Sequence, residues 1–321
     1  MLPDILTAST ATILRDPGNY NRLFDQLHEL HQFYASLSGI SAGEPSGEDI
    51  DLPWGKAIGP AGAAQCLLEL ARTTKFVRGV HQAILQQQAR YPGKKIGIFY
   101  AGCGPYAALL TPMTTVFSAG ELSFTLMDIN AASLAAVQKL YGQLALEAYV
   151  KEYILDDAVT YRLRDPDAIH LVISETMNQA LTKEPQVQIM QNLVPQLDSN
   201  TVFIPQAISI TAKLTSSEAE YAAAQTGSMA ERIGLGTVYA ISRQTPFPHT
   251  EQTIRVPDTV GDFTMLSLFT DILVFGNEMI STNESNLTVP MRICDTEGLE
   301  GREIRFNYVT GTDPHFESFL K

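Results

Sequence analysis

Two carboxylates nine positions apart, Glu175 and Glu184, are the residues of this sequence best placed to do chemistry. Paired acids that converge on one point hold a cation, fix its plane through charge-assisted hydrogen bonds and draw positive charge away from one of its atoms. Nine positions exceed one helical turn, so a loop has to fold Glu184 back toward Glu175. The residues ahead of the pair give it a setting. Ile169, Leu171, Val172 and Ile173 form an apolar run of the kind expected for a parallel strand covered on both faces. Glu175 therefore falls just past a strand's carboxyl end, where open α/β sheets bind ligands. A Glu184 that only caps the helix after Pro185 is the alternative reading.

The elements that must position these acids come earlier in the chain. Ile96 to Tyr100 reads as a short buried strand running into Ala101-Gly102-Cys103-Gly104-Pro105-Tyr106, and Ala107 to Thr115 reads as the helix that follows. Strand, glycine turn and helix make the first unit of a doubly wound sheet, the glycines letting backbone approach a ligand closely. The third glycine of a dinucleotide fingerprint is absent, with Tyr106 near its place, and Pro105 removes an N–H that a phosphate would use. That tilts the balance away from a pyrophosphate cofactor. Leu122 to Met127 is the second strand, ending at Asp128 and Ile129, and an acid at this tip accepts hydrogen bonds from ribose hydroxyls. A helix from Ala131 to Gly142 leads to a third strand, Tyr153 to Leu155, and then to Asp156-Asp157-Ala158. Spacing alone leaves Asp157 open between meeting an adenine amino group and capping a loop.

Before these units, Leu23, Phe24, Leu27, Leu30 and Tyr34 recur at helical spacing, predicting an amphipathic helix over Asn19 to Leu37 that either caps the core or pairs with another subunit. His28 and His31 lie on it without further metal ligands and are expected to face solvent. Ser41 to Pro53, rich in Gly, Pro, Ser and acids, reads as a linker or mobile loop. Ala61 to Gln88 reads as one helical pattern with Gly79 as a possible break, and it carries Arg72 and Thr73.

After Pro185, Val187 to Leu197 is helical. From Thr201 onward strands dominate, interrupted by an alanine-rich helical insertion at Ser216 to Ile233. The strands read as Thr201 to Pro205, an alternating run from Ile208 to Leu214, then Val238 to Gln244, Gln252 to Val256, Thr264 to Phe275, Leu287 to Ile293 and Glu303 to Val309. The expected fold is α/β, a Rossmann-like domain followed by a β-barrel-like domain. The expected division is an N-terminal helical segment and linker over 1–52, the Rossmann-like domain over 53–199 and the barrel-like domain over 200–321.

Composition bounds the function. A net charge of −13 over 321 residues excludes a basic nucleic-acid-binding surface and leaves two readings, attraction of cationic substrates or simple solubility. No segment approaches the run of about 20 apolar residues that spans a bilayer. Cys66, Cys103 and Cys294 have no metal spacing, and the N-terminus has no basic region ahead of its apolar residues. The expectation is a cytoplasmic protein with no membrane segment and no metal. Cys103, in a tight turn, reads as a small buried residue rather than a nucleophile.

Taken in order, these residues resemble a class I S-adenosylmethionine-dependent methyltransferase of the protein arginine methyltransferase type. The resemblance covers Trp54 to Leu214 by motif and the remaining β-half by architecture. It implies a cofactor held by Arg72, whose Arg-Thr pair would meet the cofactor carboxylate. Tyr100, Gly102, Gly104, Asp128, Ile129, Asp157, Ala158 and Ser174 would complete that site. The pair of glutamates is the specific part: Ser174-Glu175-Thr176-Met177 with Glu184, then a helix, then Phe203-Ile204-Pro205, matches the family's double-glutamate loop and the approach to its barrel. The implied substrate is a cationic guanidino group between Glu175 and Glu184, with Met177 and His315 as further substrate contacts and a homodimer as the assembly.

Two departures stand out. Tyr100 occupies the normally acidic position before Ala101-Gly102, and the family's Thr-His-Trp signature is missing, leaving His249 and His315 as candidates for its histidine. The turn from Tyr100 to Pro105 is also similar to that of bacterial enzymes that methylate free L-arginine for small natural products. Mono- or dimethylation, and free or peptide-bound arginine, stay open. Two other readings remain: a nicotinamide oxidoreductase using the glycine turn and Asp128, and a catalytically silent S-adenosylmethionine-binding scaffold.

Overall fold

The computed structural model describes residues 3–16, 18–43, 47–226 and 228–321. Two helices open the chain, α1 (Asp4–Arg15) and α2 (Tyr20–Ser38). Asn19 caps α2 by accepting from the Arg22 N–H at 3.2 Å, and Gly39 ends it in the left-handed region. Helix α2 was expected; α1, with Leu6 and Ile13 buried, was not. His31 is also buried, its Nε2 facing the Ala42 N–H at 3.2 Å, which corrects the expectation that it faces solvent. Among the described residues no group of three or more His, Cys, Asp or Glu is placed to hold a metal.

The segment read as a linker contains an antiparallel hairpin, β1 (Ile50–Leu52) with β2 (Gly55–Ala57). Part of that reading, residues 44–46, lies outside the described residues. The single helix expected from Ala61 is two, α3 (Pro60–Cys66) and α4 (Leu70–Arg90). Thr73 makes the joint: its hydroxyl donates to the Leu67 carbonyl at 2.9 Å, satisfying an acceptor left open at the end of α3. Gly79 is no break. It lies inside α4, where a Cβ would meet Val274 Cγ1 at 2.6 Å, so its lack of a side chain lets α4 seat against the β-half. Arg78–Glu278 and Lys75–Glu284 ion pairs fasten the same contact.

Five parallel strands follow: β3 (Ile96–Ala101), β4 (Leu122–Asp128), β5 (Val150–Leu155), β6 (Leu171–Ser174) and β7 (Val202–Ile204). Their order is β5-β4-β3-β6-β7, every neighbour parallel. The chain reverses direction across this sheet at β3 and β6, so the loops after these two strands flank the crevice where such sheets take ligands. Helices α5 (Ala131–Gln143) and α6 (Gln186–Leu193) connect them. Strand β7 pairs with β6, so Thr201 to Pro205 belongs to the parallel sheet rather than to the β-half. Its three residues are all buried, as a strand covered on both faces must be.

No α-helix follows the glycine turn. Ala107 to Leu110 remain in turns and Thr111–Thr115 forms a 3₁₀ segment. Pro112 removes a helical donor, and the hydroxyls of Thr111, Thr114 and Thr115 donate to the carbonyls of Tyr106, Thr111 and Pro112, competing with the helical pattern.

The β-half carries β8 (Ala207–Thr215), helix α7 (Ser217–Thr226), then β9 (Ile233–Ser242), β10 (Glu251–Arg255), β11 (Met265–Phe275), β12 (Glu278–Ile280), β13 (Met291–Asp295), β14 (Glu303–Val309) and β15 (His315–Leu320). The inserted helix is thus shorter than expected, and Ile233 already starts a strand. Two antiparallel sheets result, one in the order β12-β11-β8-β9 with β13 also on β11, the other β10-β14-β15. Tyr239, Tyr308 and Phe316 join them through an aromatic cluster with ring centroids 4.6–6.0 Å apart. The arrangement is barrel-like, as expected.

Candidate active site

One large cavity opens over the carboxyl ends of β3, β4 and β6, with about 1030 Å³ of space including its open mouth. Arg72, Tyr100, Gly102, Gly104, Asp128, Ile129, Asp157, Ala158, Glu175 and Glu184 all line it. Residues separated by more than a hundred positions meet here because the parallel sheet delivers every strand's carboxyl end to one edge. Ser174, Met177 and His315 do not line it. Ser174 and Met177 are buried in the core behind the loop, and His315 lies on β15 with Nδ1 2.7 Å from the Asp313 carbonyl.

The glycine turn is closed upon itself. Gly102 and Cys103 both donate their N–H to the Met127 carbonyl, at 2.9 and 3.0 Å, and Gly104 donates to Asp128 Oδ2 at 2.8 Å. Asp128 Oδ1 accepts from the Asn130 N–H at 2.8 Å. Burial pushes the Asp128 carboxyl up and these backbone donors draw it back. Each carboxylate oxygen has a second lone pair, so acceptor capacity remains for two hydroxyls. Asp157 is engaged by both oxygens, Oδ2 by the Trp54 indole N–H and Oδ1 by the Val159 N–H, each at 2.8 Å. It caps its loop and anchors the β1–β2 hairpin across the cavity.

Arg72 and Glu175 form a buried ion pair, their side chains only 9% and 7% exposed. Arg72 donates from Nε to Glu175 Oε2 at 2.8 Å and from Nη2 to the same oxygen. Burial opposes the guanidinium charge, but the surrounding groups, the Glu175 carboxylate foremost, together outweigh it and Arg72 stays protonated. Burial pushes Glu175 up while Arg72 pulls it down. Glu175 Oε1 is buried with no hydrogen-bond partner among the described residues. Burial and then the Glu175 charge push Glu184 up to about 7.

The loop between the two acids is strained and held from several sides. Ala180, Leu181 and Lys183 all have φ between 50° and 67°, the left-handed region that costs non-glycine residues about 1–2 kcal/mol each. Gln186, fully buried, accepts from the Thr176 N–H at 2.9 Å and from its hydroxyl at 3.0 Å, closing the loop's base. The Tyr308 hydroxyl donates to the Leu181 carbonyl at 2.8 Å, and Lys183 donates its N–H to the Pro314 carbonyl at 2.8 Å. On the other side the Lys56 N–H donates to the Lys183 carbonyl at 2.7 Å. Both halves of the protein and the hairpin thus fix where Glu184 sits.

The chain's likeness to known proteins lies in its fold. The Trypanosoma brucei PRMT1 enzyme-prozyme heterotetrameric complex with AdoHcy superposes with a TM-score of 0.53 at 13% identity, covering 80% of this chain and 91% of that one. PRMT6-SAH gives 0.55 at 10% identity, covering 81% and 99%. PRMT6 gives 0.53 at 9%, covering 81% and 98%. The chain has the fold of these structures. No protein-family model matches the sequence, and no curated protein is similar to it in sequence.

Sequence reasoning missed the hairpin, which brings Leu52, Lys56 and Ala57 to the cavity and Trp54 to Asp157. The tryptophan followed by a glycine in Trp54-Gly55 was the available signal. Gly55 has φ 127°, and a Cβ there would lie 2.5 Å from the Lys183 carbonyl oxygen.

Proposed function

We propose that the protein is an S-adenosylmethionine-dependent N-methyltransferase acting on a guanidino group, with free L-arginine or an arginine-containing small molecule or peptide as the acceptor. The observation that carries this reading is the meeting of Glu175 and Glu184 in the cavity that the glycine turn and Asp128 also line, with Glu175 Oε1 buried and unpartnered among the described residues.

The residues fit the cofactor. Asp128 retains acceptor capacity for ribose hydroxyls, and Met127, Ile129 and Ala158 provide apolar lining beside it. They fit a dinucleotide poorly. The N–H groups of Gly102, Cys103 and Gly104 are all spent on Met127 and Asp128 at the end of β4, Pro105 has none, and no α-helix N-terminus follows the turn to meet a pyrophosphate. When bound, S-adenosylmethionine supplies an electrophilic methyl group on sulfonium sulfur, which a nitrogen displaces in line.

The chain's own task is to prepare that nitrogen. A guanidinium is a weak nucleophile because its charge is delocalised. Glu175 Oε1 and the Glu184 carboxylate accept N–H bonds from it, fixing its plane and localising positive charge on the nitrogens they hold. Arg72 orients Glu175 and opposes the upward push of burial on its carboxyl. A bound cation favours ionised Glu184, which then accepts the proton released by the methylated nitrogen or passes it to solvent.

Both PRMT6 and the T. brucei PRMT1 complex carry names of arginine methyltransferases, which supports the acceptor chemistry and makes a protein-bound arginine the second reading. A homodimer belongs to the same proposal, supported by exposed Tyr221 on α7 and by Tyr20 and Phe24 on α2. Mass spectrometry after incubation with S-adenosylmethionine and L-arginine, agmatine or an arginine peptide tests the reading. Methylated product from one of them, lost in Glu175→Gln and Glu184→Gln, is the expected result. Absence of product from all three would sink it.

A further inference from the structure

Among the described residues, Arg72 and Lys56 are the only cations that line the cavity, against five acids, Asp128, Asp156, Asp157, Glu175 and Glu184. Arg72 holds Glu175 through Nε and Nη2 and is the residue expected to meet the cofactor carboxylate, so among the described residues Lys56 carries the cationic head left for an acceptor. It stands on the hairpin strand whose N–H holds the Lys183 carbonyl, next to Glu184. Its ammonium lies 3.4 Å from Asp49 Oδ2 and 3.8 Å from Asp51 Oδ1, and its side chain is 44% exposed. Exposed pairs of this kind are weak, so either is readily exchanged for another carboxylate. Asp49 is itself fixed, accepting the Gly59 N–H through Oδ1 at 2.8 Å. Asp51 is almost wholly exposed.

The hairpin therefore presents a cation between two anions, and Lys56 belongs to the wall of the cavity that also holds the acid pair. An amino acid with a distal guanidino group carries the complementary set: a carboxylate for Lys56, an ammonium for Asp51 and a guanidinium for Glu175 and Glu184. An arginine inside a peptide carries neither of the first two charges and leaves Lys56 and Asp51 unmatched. We propose that Lys56 is a specificity-determining residue that binds the α-carboxylate of a free amino-acid substrate. The proposal rests on the methyl-transfer reading of the glutamate pair. The methyl donor also bears an amino-acid carboxylate, and the experiment separates the two sources.

The test compares the full-length wild type with Lys56→Gln and Lys56→Arg on L-arginine, on agmatine, which lacks the carboxylate, and on an arginine peptide, with the KM for S-adenosylmethionine measured in each. Trp54 fluorescence and thermal unfolding check that the exposed substitutions leave the hairpin in place. Lys56→Gln is expected to lose about tenfold in kcat/KM for arginine, mainly through KM, as loss of a charge-assisted contact implies. Agmatine should change by no more than about twofold, and Lys56→Arg should recover part of the arginine activity. Equal loss on both small substrates, no loss on arginine, or a loss matched by a raised S-adenosylmethionine KM overturns the proposal. A wild type that prefers agmatine or the peptide to arginine overturns it too, while leaving methyl transfer intact. A wild type that methylates none of the three fails at the earlier reading instead.

Discussion

Arg72 binds Glu175 through one carboxylate oxygen, Oε2, and leaves the other, Oε1, buried without a partner among the described residues. Half of the carboxylate is thus positioned by the protein and half is kept for a ligand. The asymmetry explains how one acid can be both anchored and available.

A buried pair of this kind has a defined mutational signature. Removing one member leaves the other as an uncompensated buried charge, at a cost of about 3–5 kcal/mol, whereas replacing both with apolar residues of similar size is close to neutral. Arg72→Met should therefore lower the denaturation midpoint sharply, and Arg72→Met with Glu175→Leu should restore most of it. Urea unfolding of the singles and the double measures the coupling. Additive losses would show that the pair is not a unit. Neither variant should turn over.

Glu184 predicts a pH dependence with a definite sign. Its folded pKa of about 7 stands above the ordinary carboxyl value of 4.5, so between these values the folded state binds the proton that the unfolded state has released. Stability from this group is greatest in acid and falls as pH rises through about 7. Glu184→Gln should consequently be more stable than wild type at pH 8, by on the order of 1 kcal/mol or more, with the advantage shrinking toward pH 5. Catalysis runs the other way. Holding a guanidinium requires the ionised acid, so wild-type kcat/KM should fall as pH drops below about 7. Thermal unfolding and a kcat/KM profile over the same pH range check both signs.

The centre of the parallel sheet was legible because β3 and β6 are short apolar runs, and the loops after β3, β4 and β6 were legible because each strand's end is marked by Gly, Asp or Glu. What stayed hidden depends on distant partners. The hairpin sits in a stretch whose Gly, Pro and acid content suggests a linker, and it is held by Asp157, Lys183 and Gln188, more than a hundred positions away. Strand β7 looked like the start of the β-half because three apolar residues before a proline do not reveal which sheet they join. The helix expected after the glycine turn gave way to threonine hydroxyls that bond their own backbone. His31 and Gly79 were misread for one reason: burial on a helix face depends on what packs there.

Gly55 should be the most sensitive position outside the acid pair. Its φ of 127° disfavours any side chain, and a Cβ would press on the Lys183 carbonyl that the Lys56 N–H must reach. Gly55→Ala should displace the hairpin, lift Trp54 from Asp157 and loosen Glu184, while the rest of the fold persists. A shifted Trp54 emission, from the chain's only tryptophan, together with greatly reduced turnover and a cooperative thermal transition, is the expected combination. Unchanged emission with normal turnover would show that the hairpin does not set the loop.

The strain in the glutamate loop can be tested from both directions. Lys183 is exposed with φ 67°, so Lys183→Gly relieves left-handed strain without removing a packed side chain. A gain of about 0.5–1 kcal/mol is expected, partly offset by the greater freedom of glycine in the unfolded chain. Gln186→Leu does the opposite. It removes the acceptor of the Thr176 N–H and hydroxyl, leaving a backbone donor unsatisfied at the base of the loop, at a cost of about 1–3 kcal/mol. Gln186→Leu should also lower kcat, since both acids depart from that base. Gln186→Glu, which keeps an acceptor, should recover part of the stability where Leu does not. Equal losses for Leu and Glu would mean that the Thr176 bonds do not close the loop.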